Sequence, residues 1–165
     1  MFKKVLLLAS AGLMVMGSAA AAEKVKIGFV TTITTPAGVI GRDMVDAVNL
    51  AMEDIGGKMA GRDVELIIED DGFKPAIGKQ KTDKLVKQDK VQFVTGFIWS
   101  HVLLASQKSA LEAGKFLISS NAGPSQMAGK LCHKNFFSTS WQNDQTPMAM
   151  GEVLNLNNVG SLYVM

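Results

Sequence analysis

The sequence predicts an α/β fold, a parallel sheet with helices on both faces, and three observations predict it. Short β-branched runs alternate with stretches of helical apolar spacing, in the order strand, helix, strand, helix, strand, helix, strand. The strands are joined through those helical stretches rather than by hairpin turns. Loops rich in Gly, Pro, Ser and Asn follow the strands, where right-handed crossovers gather them along one rim.

Residues 1–22 precede the alternation. Lys3 and Lys4 lead an apolar run over residues 5–16, followed by the small residues of 18–22, which is the layout of a secretory signal peptide. An apolar run of about 12 residues is shorter than the roughly 20 that span a bilayer, and no stop-transfer segment follows. Cleavage after Ala22 is therefore expected, with Glu23 as the mature start, a periplasmic location and no stable membrane insertion afterwards. The whole chain of 165 residues has 17 Lys+Arg against 15 Asp+Glu. The leader takes two lysines and no acid with it, so the mature chain is neutral. That balance gives nucleic-acid binding no electrostatic support.

Residues 25–30 alternate and are β-branched, a first strand, and residues 34–38 follow as a turn-rich loop. Over residues 40–55, Met44, Val48, Ala51, Met52 and Ile55 recur at three- and four-residue steps, and Gly56-Gly57 supplies the stop. Residues 64–68 form a second strand that ends in an acidic turn. Pro75 suits the first turn of a second helix running to about Gln88, with Asp83 and Lys87 paired on its surface. A third strand over 91–95, a third helix over 100–113 and a fourth strand over Phe116–Ser119 complete the alternation. A loop through Gly129, a strand over 135–139, a helix over 146–156 and a last strand over 161–165 follow. That final strand has neither an evident partner nor a following helix, the mark of a truncated frame or of a fragment of a two-lobed protein.

Few residues offer chemistry. The two nucleotide-binding glycine fingerprints and the nucleophile elbow G-x-S-x-G do not occur. Ser100 and His101 are adjacent, and side chains one residue apart on a helix diverge by about 100°, which does not suit a nucleophile and its base. Cys132-His133 has no second Cys or His at ligand spacing, so no metal is expected, and neither a cofactor nor an enzymatic activity. Cys132, the single cysteine, is expected to be a buried thiol, the alternative being a disulfide to a residue outside this chain. Asp70 and Asp71 read as solvated loop or helix-capping residues.

Two rim loops point to binding. Residues 96–100 run from the third strand into the third helix and put Ser100 where the first helical N–H groups point, a carboxylate-binding geometry; a plain N-cap is the alternative. Residues 119–124 end the next strand on the same rim, and Asn121, Ala122 and Gly123 offer an amide, backbone N–H groups and little bulk; an ordinary turn is the alternative. Trp99 and Trp141 offer apolar walls, or simply pack in the core.

Taken with the loop 34–41, Gly56-Gly57, Gly61-Arg62 and the segment 140–145, these features make residues 25–165 resemble the leucine/isoleucine/valine-binding family of type I periplasmic binding proteins. The resemblance implies two α/β lobes joined by a hinge and a ligand, an amino acid or small organic acid, held between them. It implies delivery to an inner-membrane ABC permease as partner. Residues 23–139 would be the N-terminal lobe and 140–165 the hinge and the start of an incomplete second lobe. Ser100 then falls at the carboxylate-binding position, and Asn121, Ala122 and Gly123 in the loop that adds main-chain and side-chain contacts. Ile40 stands where relatives often place an aromatic over the ligand, and Gln142 near a position that is often acidic. Losing that acid removes a charge-assisted contact of about 1.5–3 kcal/mol. That loss makes a non-amino carboxylate, an aromatic acid among them, a candidate ligand beside the branched-chain or hydrophobic amino acids that the resemblance implies, Trp99 and Trp141 suiting a ring. A receptor or sensor ectodomain on the same fold is the alternative function. Half a cleft is expected to bind weakly.

Overall fold

The structure, a computed structural model, describes residues 23–163. The signal-peptide reading falls on residues 1–22 and lies outside the described residues. Six strands form one sheet: β1 (Val25–Thr31), β2 (Lys58–Met59), β3 (Arg62–Asp70), β4 (Phe93–Gly96), β5 (Phe116–Ser119) and β6 (Phe136–Ser138). Their spatial order is β2-β3-β1-β4-β5-β6. Every pair is parallel except the edge pair of β2 and β3. The helices are α1 (Val39–Asp54), α2 (Pro75–Lys87), α3 (Ser100–Leu111), the single turn α4 (Ser125–Ala128) and α5 (Gln145–Leu156).

Side chains alternate across the strands, so each face has its own cover. Val30, Val94 and Leu117 face α2 and α3 and join Leu85, Val102 and Leu103 in the core, all six wholly buried. α2 starts with Pro75 at its first turn, where the missing N–H costs nothing. On the opposite face Ile27, Phe93, Thr95 and Ile118 line an apolar hollow of about 260 Å³ with Met59. Phe29 and Thr95 line a second, of about 290 Å³, with Met44 and Val48 of α1. α1 thus lies over this face without sealing it, and only Gly41 of its residues is buried.

Three elements differ from the sequence expectation. Lys58–Met59 turns back on Arg62 and Asp63 as a hairpin, because Ala60 and Gly61 both take positive φ (50° and 76°) and supply the two-residue turn that matches strand twist. Residues 125–128 of the expected loop close one helical turn. Residues 161–163 carry no strand, and the last two residues of the expected strand lie outside the described ones. With no neighbouring strand to pair, their apolar side chains stay in solvent, Leu162 and Tyr163 among them. α5 likewise buries no residue.

Candidate functional site

The carboxyl ends of β1, β3, β4 and β5 meet on one rim, as parallel pairing in register requires: Val30 lies opposite Glu69 and Gly96, and Gly96 opposite Ser119. β4 leaves the sheet through Gly96 (φ 101°) and Phe97 (φ 63°). A Cβ on Gly96 would collide with the Val30 carbonyl oxygen, so the position admits only glycine. Phe97 accepts the left-handed conformation because its ring is wholly buried and its N–H donates to Val30 O at 2.7 Å. This turn delivers Trp99 and Ser100 to the rim.

Ser100 opens α3. The first bonds of the helix run from Val102 N and Leu103 N to Trp99 O (3.1 and 3.0 Å), which leaves the Ser100 and His101 amides ahead of the ladder. The Ser100 side chain makes no capping bond; its Oγ accepts from Asn143 Nδ2 at 2.9 Å. The loop after β5 is stitched to the same turn. Ser120 N donates to Gly96 O (2.9 Å), Ala122 N to Phe97 O (2.9 Å) and Asn121 Nδ2 to Ile98 O (3.0 Å). Ser119 Oγ closes the loop on Ala122 O at 2.5 Å. Both backbone polar groups of buried Ala122 are therefore engaged internally, and what it offers a ligand is shape.

Gly123 touches the segment that leads into α5. Its carbonyl accepts from Asn143 N at 2.8 Å, and a Cβ there would strike the Trp141 carbonyl oxygen. The structure thus gathers Ser100, Asn121, Ala122 and Gly123 and docks residues 141–143 on them. Trp141 is 60% exposed and Ile40 47%, so neither packs in the core. Gln142 turns its side chain to Asp144, donating from Nε2 to Oδ2 at 3.0 Å and accepting from Asp144 N at 2.8 Å.

Sequence reading missed a buried acid. Asp71 is not a solvated loop residue but has no exposed surface. Its Oδ1 accepts from Thr32 Oγ1 at 2.5 Å and from Phe73 N at 2.8 Å, and its Oδ2 is buried without a partner among the described residues. Burial raises its pKa above the ordinary value against these hydrogen bonds. At Asp70 burial pushes the same way, yet hydrogen bonds from the Thr34 hydroxyl and the Gly72 and Ile33 amides outweigh it and leave the pKa lowered. Asp70 is tied to the loop after β1 rather than capping α2. Trp99 donates from Nε1 to Thr32 Oγ1 at 3.0 Å, and the Phe73 ring meets it edge-on at 4.8 Å.

Cys132 is exposed, contrary to the expected buried thiol: its N–H closes a turn on Gly129 O in the irregular loop between α4 and β6. His133 is half-buried, its Nδ1 accepting from Asn135 N at 3.1 Å. Among the described residues no cluster of His, Cys, Asp or Glu is arranged to hold a metal, and no helix is long and apolar enough to cross a membrane.

A family model described as periplasmic binding protein matches residues 24–165. Leu/Ile/Val-binding protein homolog 6 of Brucella abortus is 27% identical over 89% of this chain and 38% of its own length. A solute-binding protein of an ABC transporter from R. palustris, solved with benzoate, superposes with a TM-score of 0.77 at 27% identity over 82% of this chain and 38% of that one. A branched-chain amino acid transporter substrate-binding protein from Streptococcus pneumoniae, solved with isoleucine, gives 0.67 at 26% identity over 73% and 34%. The chain spans about 38% of the length of the curated relatives it matches.

Proposed function

Because the chain belongs to the periplasmic binding proteins, we propose that it serves as, or forms part of, the substrate-binding component of an ABC importer, a carrier rather than a catalyst. Its ligand is a small carboxylate with an apolar body. The observation that carries this reading is the meeting of the α3 start with the loop 119–123. Two amides ahead of the helical ladder and the Ser100 hydroxyl lie on one rim, held by three hydrogen bonds from Ser120, Asn121 and Ala122 to the turn after β4. Helix-start N–H groups and their partial positive charge favour a carboxylate. The leader-like residues 1–22 support export to the periplasm, where the partner is an inner-membrane permease. Solved relatives bound to benzoate and to isoleucine support the two ligand classes, aromatic acids and branched-chain amino acids. Trp99 and Trp141 suit a ring.

The test is an amide-resolved NMR titration of the 165-residue chain with millimolar benzoate and L-isoleucine. Both arms address Ser100, His101 and Gly123. Ligand-dependent shifts at those amides are expected, weak because Ile40 and Trp141 stand open to solvent rather than enclosing a ligand. Ser100→Ala should weaken them by about ten- to a hundredfold, the worth of a hydrogen bond to a charged group. Equal shifts with uncharged benzamide, or none at these amides, would overturn the assignment.

A further inference from the structure

Trp99, the residue immediately before Ser100, is held by more than packing. Its indole N–H donates to Thr32 Oγ1 at 3.0 Å, and that hydroxyl in turn donates to Asp71 Oδ1 at 2.5 Å. Thr32 and Asp71 are both wholly buried, so the bond between them is shielded from water, while the Trp99 end of the chain is half-buried. The same Oδ1 accepts from Phe73 N at 2.8 Å. That bond braces a backbone with φ 65°, a conformation that a bulky side chain rarely adopts. The bracing has a visible result. The Phe73 ring is set edge-on against Trp99 at 4.8 Å and against His101 at 5.1 Å, so one carboxyl controls two contacts with the residues flanking Ser100.

A buried carboxylate with a donor-free second oxygen is a costly way to fill space. An apolar residue at 71 would fill the same volume without that cost. What it would not do is orient a hydroxyl toward an indole and hold a neighbouring amide at once. The loops after β1, β3 and β4 are brought to one point by this single group.

We propose that Asp71 and Thr32 are positioning residues of the carboxylate site: the chain Asp71–Thr32–Trp99, closed by the Phe73 ring, aims the start of α3 at the ligand. Neither residue touches the ligand; both act through Trp99. The proposal rests on the reading of Ser100 as carboxylate-binding, and its test separates the two.

The measurement follows the Trp99 indole N–H and the Ser100 and His101 amides by NMR in the full chain, with Thr32→Val, Thr32→Ser and Phe73→Ala. Thr32→Val keeps the shape and loses the hydroxyl. It should speed exchange of the Trp99 indole proton by about tenfold or less, the worth of one net hydrogen bond, and shift the Ser100 amide before any ligand is added. It should also raise the benzoate concentration needed to perturb Ser100 by a similar factor. Thr32→Ser restores all three, which a general loss of packing at position 32 would not. Phe73→Ala should shift the Trp99 and His101 signals while the indole proton stays protected. Parent values for exchange and for the Ser100 amide in Thr32→Val, or equal loss in Thr32→Val and Thr32→Ser, would overturn the proposal. If the parent shows no benzoate response, the Ser100 reading fails by itself, and the ligand-free shift of Ser100 in Thr32→Val still decides whether Asp71 and Thr32 position the helix start.

Discussion

Gly123→Ala tests the coupling between the rim and the segment that docks on it. The added Cβ would meet the Trp141 carbonyl oxygen, and its next neighbours, Trp141 C at 3.1 Å and Gln142 Cα at 3.2 Å, are backbone too. No side chain can swing aside. The loop carrying Gly123 is pinned by Ala122 to Phe97 and by Ser119 to Ala122, whereas residues 141–143 lead into α5, which buries nothing. The clash should therefore be relieved by lifting residues 141–143. That movement forfeits Asn143 N to Gly123 O and Asn143 Nδ2 to Ser100 Oγ, two bonds of about 1 kcal/mol each at most, or about 1–2 kcal/mol of docking free energy. Overpacking with no relief would cost about 1–3 kcal/mol, so undocking is the cheaper route. Hydrogen exchange at the Asn143 amide is the assay, and a rise of about tenfold is expected, since 1.4 kcal/mol is a factor of ten. The urea midpoint of the core should hardly move. An Asn143 amide as protected as in the parent would refute the reasoning, as would a loss of global stability larger than the local effect.

Further outcomes follow from the packing and the charges. Leu103→Ala removes a wholly buried side chain from the α2/α3 core and should cost about 2–5 kcal/mol in urea denaturation. Asp83 is held at a pKa of about 2, chiefly by the hydrogen bond from Lys79 at 2.6 Å, so its contribution is present above its ordinary pKa of 3.8 and lost as pH falls through about 2. The stability difference between the parent and Asp83→Asn should therefore shrink between those limits, from a value of at most about 1 kcal/mol because the lysines are exposed. Asp71 has the opposite sign: burial raises its pKa, so ionisation becomes a cost as pH rises through the folded value. Asp71→Asn keeps an oxygen for Thr32 and Phe73, and should gain on the parent at pH 7 relative to pH 4; a mutant that loses ground at pH 7 would contradict this. Gly151→Ala meets nothing within 4 Å and should raise the helicity of α5 by stabilising it about 0.5–1 kcal/mol, measured by amide exchange along that helix.

The legible parts of the fold are those fixed by local chemistry. β5 begins and ends where the short apolar run Phe116–Ser119 does, α2 begins at Pro75, and α3 begins at Ser100, because strand and helix boundaries answer to residues within a few positions of each other. The hairpin at Lys58–Met59 is not legible in the sequence because two residues are too few to show an alternation, and Gly61 is its one local signal. The left-handed Phe97 and Phe73 have no sequence signature at all, since each depends on a buried contact or a hydrogen bond that holds it. The burial of Asp71 has no local signal because its partner Thr32 lies 39 residues away and Trp99 is a further step removed, so only the parallel register of β1, β3 and β4 brings them together. The tendency of free thiols to be buried does not hold at Cys132, which lies in an irregular loop ahead of the edge strand β6.

The candidate site divides along the same line as the packing. Ser100, Asn121, Ala122 and Gly123 hang from strand ends whose inner face is filled by α2 and α3, and hydrogen bonds between their loops fix them before any ligand arrives. Ile40, on α1, and Trp141, ahead of α5, stand on elements that bury little, with 47% and 60% of their surfaces exposed. On the proposed carboxylate site, a carboxylate group would meet a preorganised anchor, while the apolar body of the ligand would meet side chains that must still be ordered. Ordering rotamer-rich side chains costs about 0.5–1.5 kcal/mol each. Affinity in this chain should accordingly follow the carboxylate and depend little on the body attached to it. Benzoate and L-isoleucine should perturb Ser100 at concentrations within about tenfold of each other, a gap of no more than 1.4 kcal/mol. A hundredfold preference for either would mean that Ile40 or Trp141 already encloses the ligand, and the division drawn from their exposure would fail.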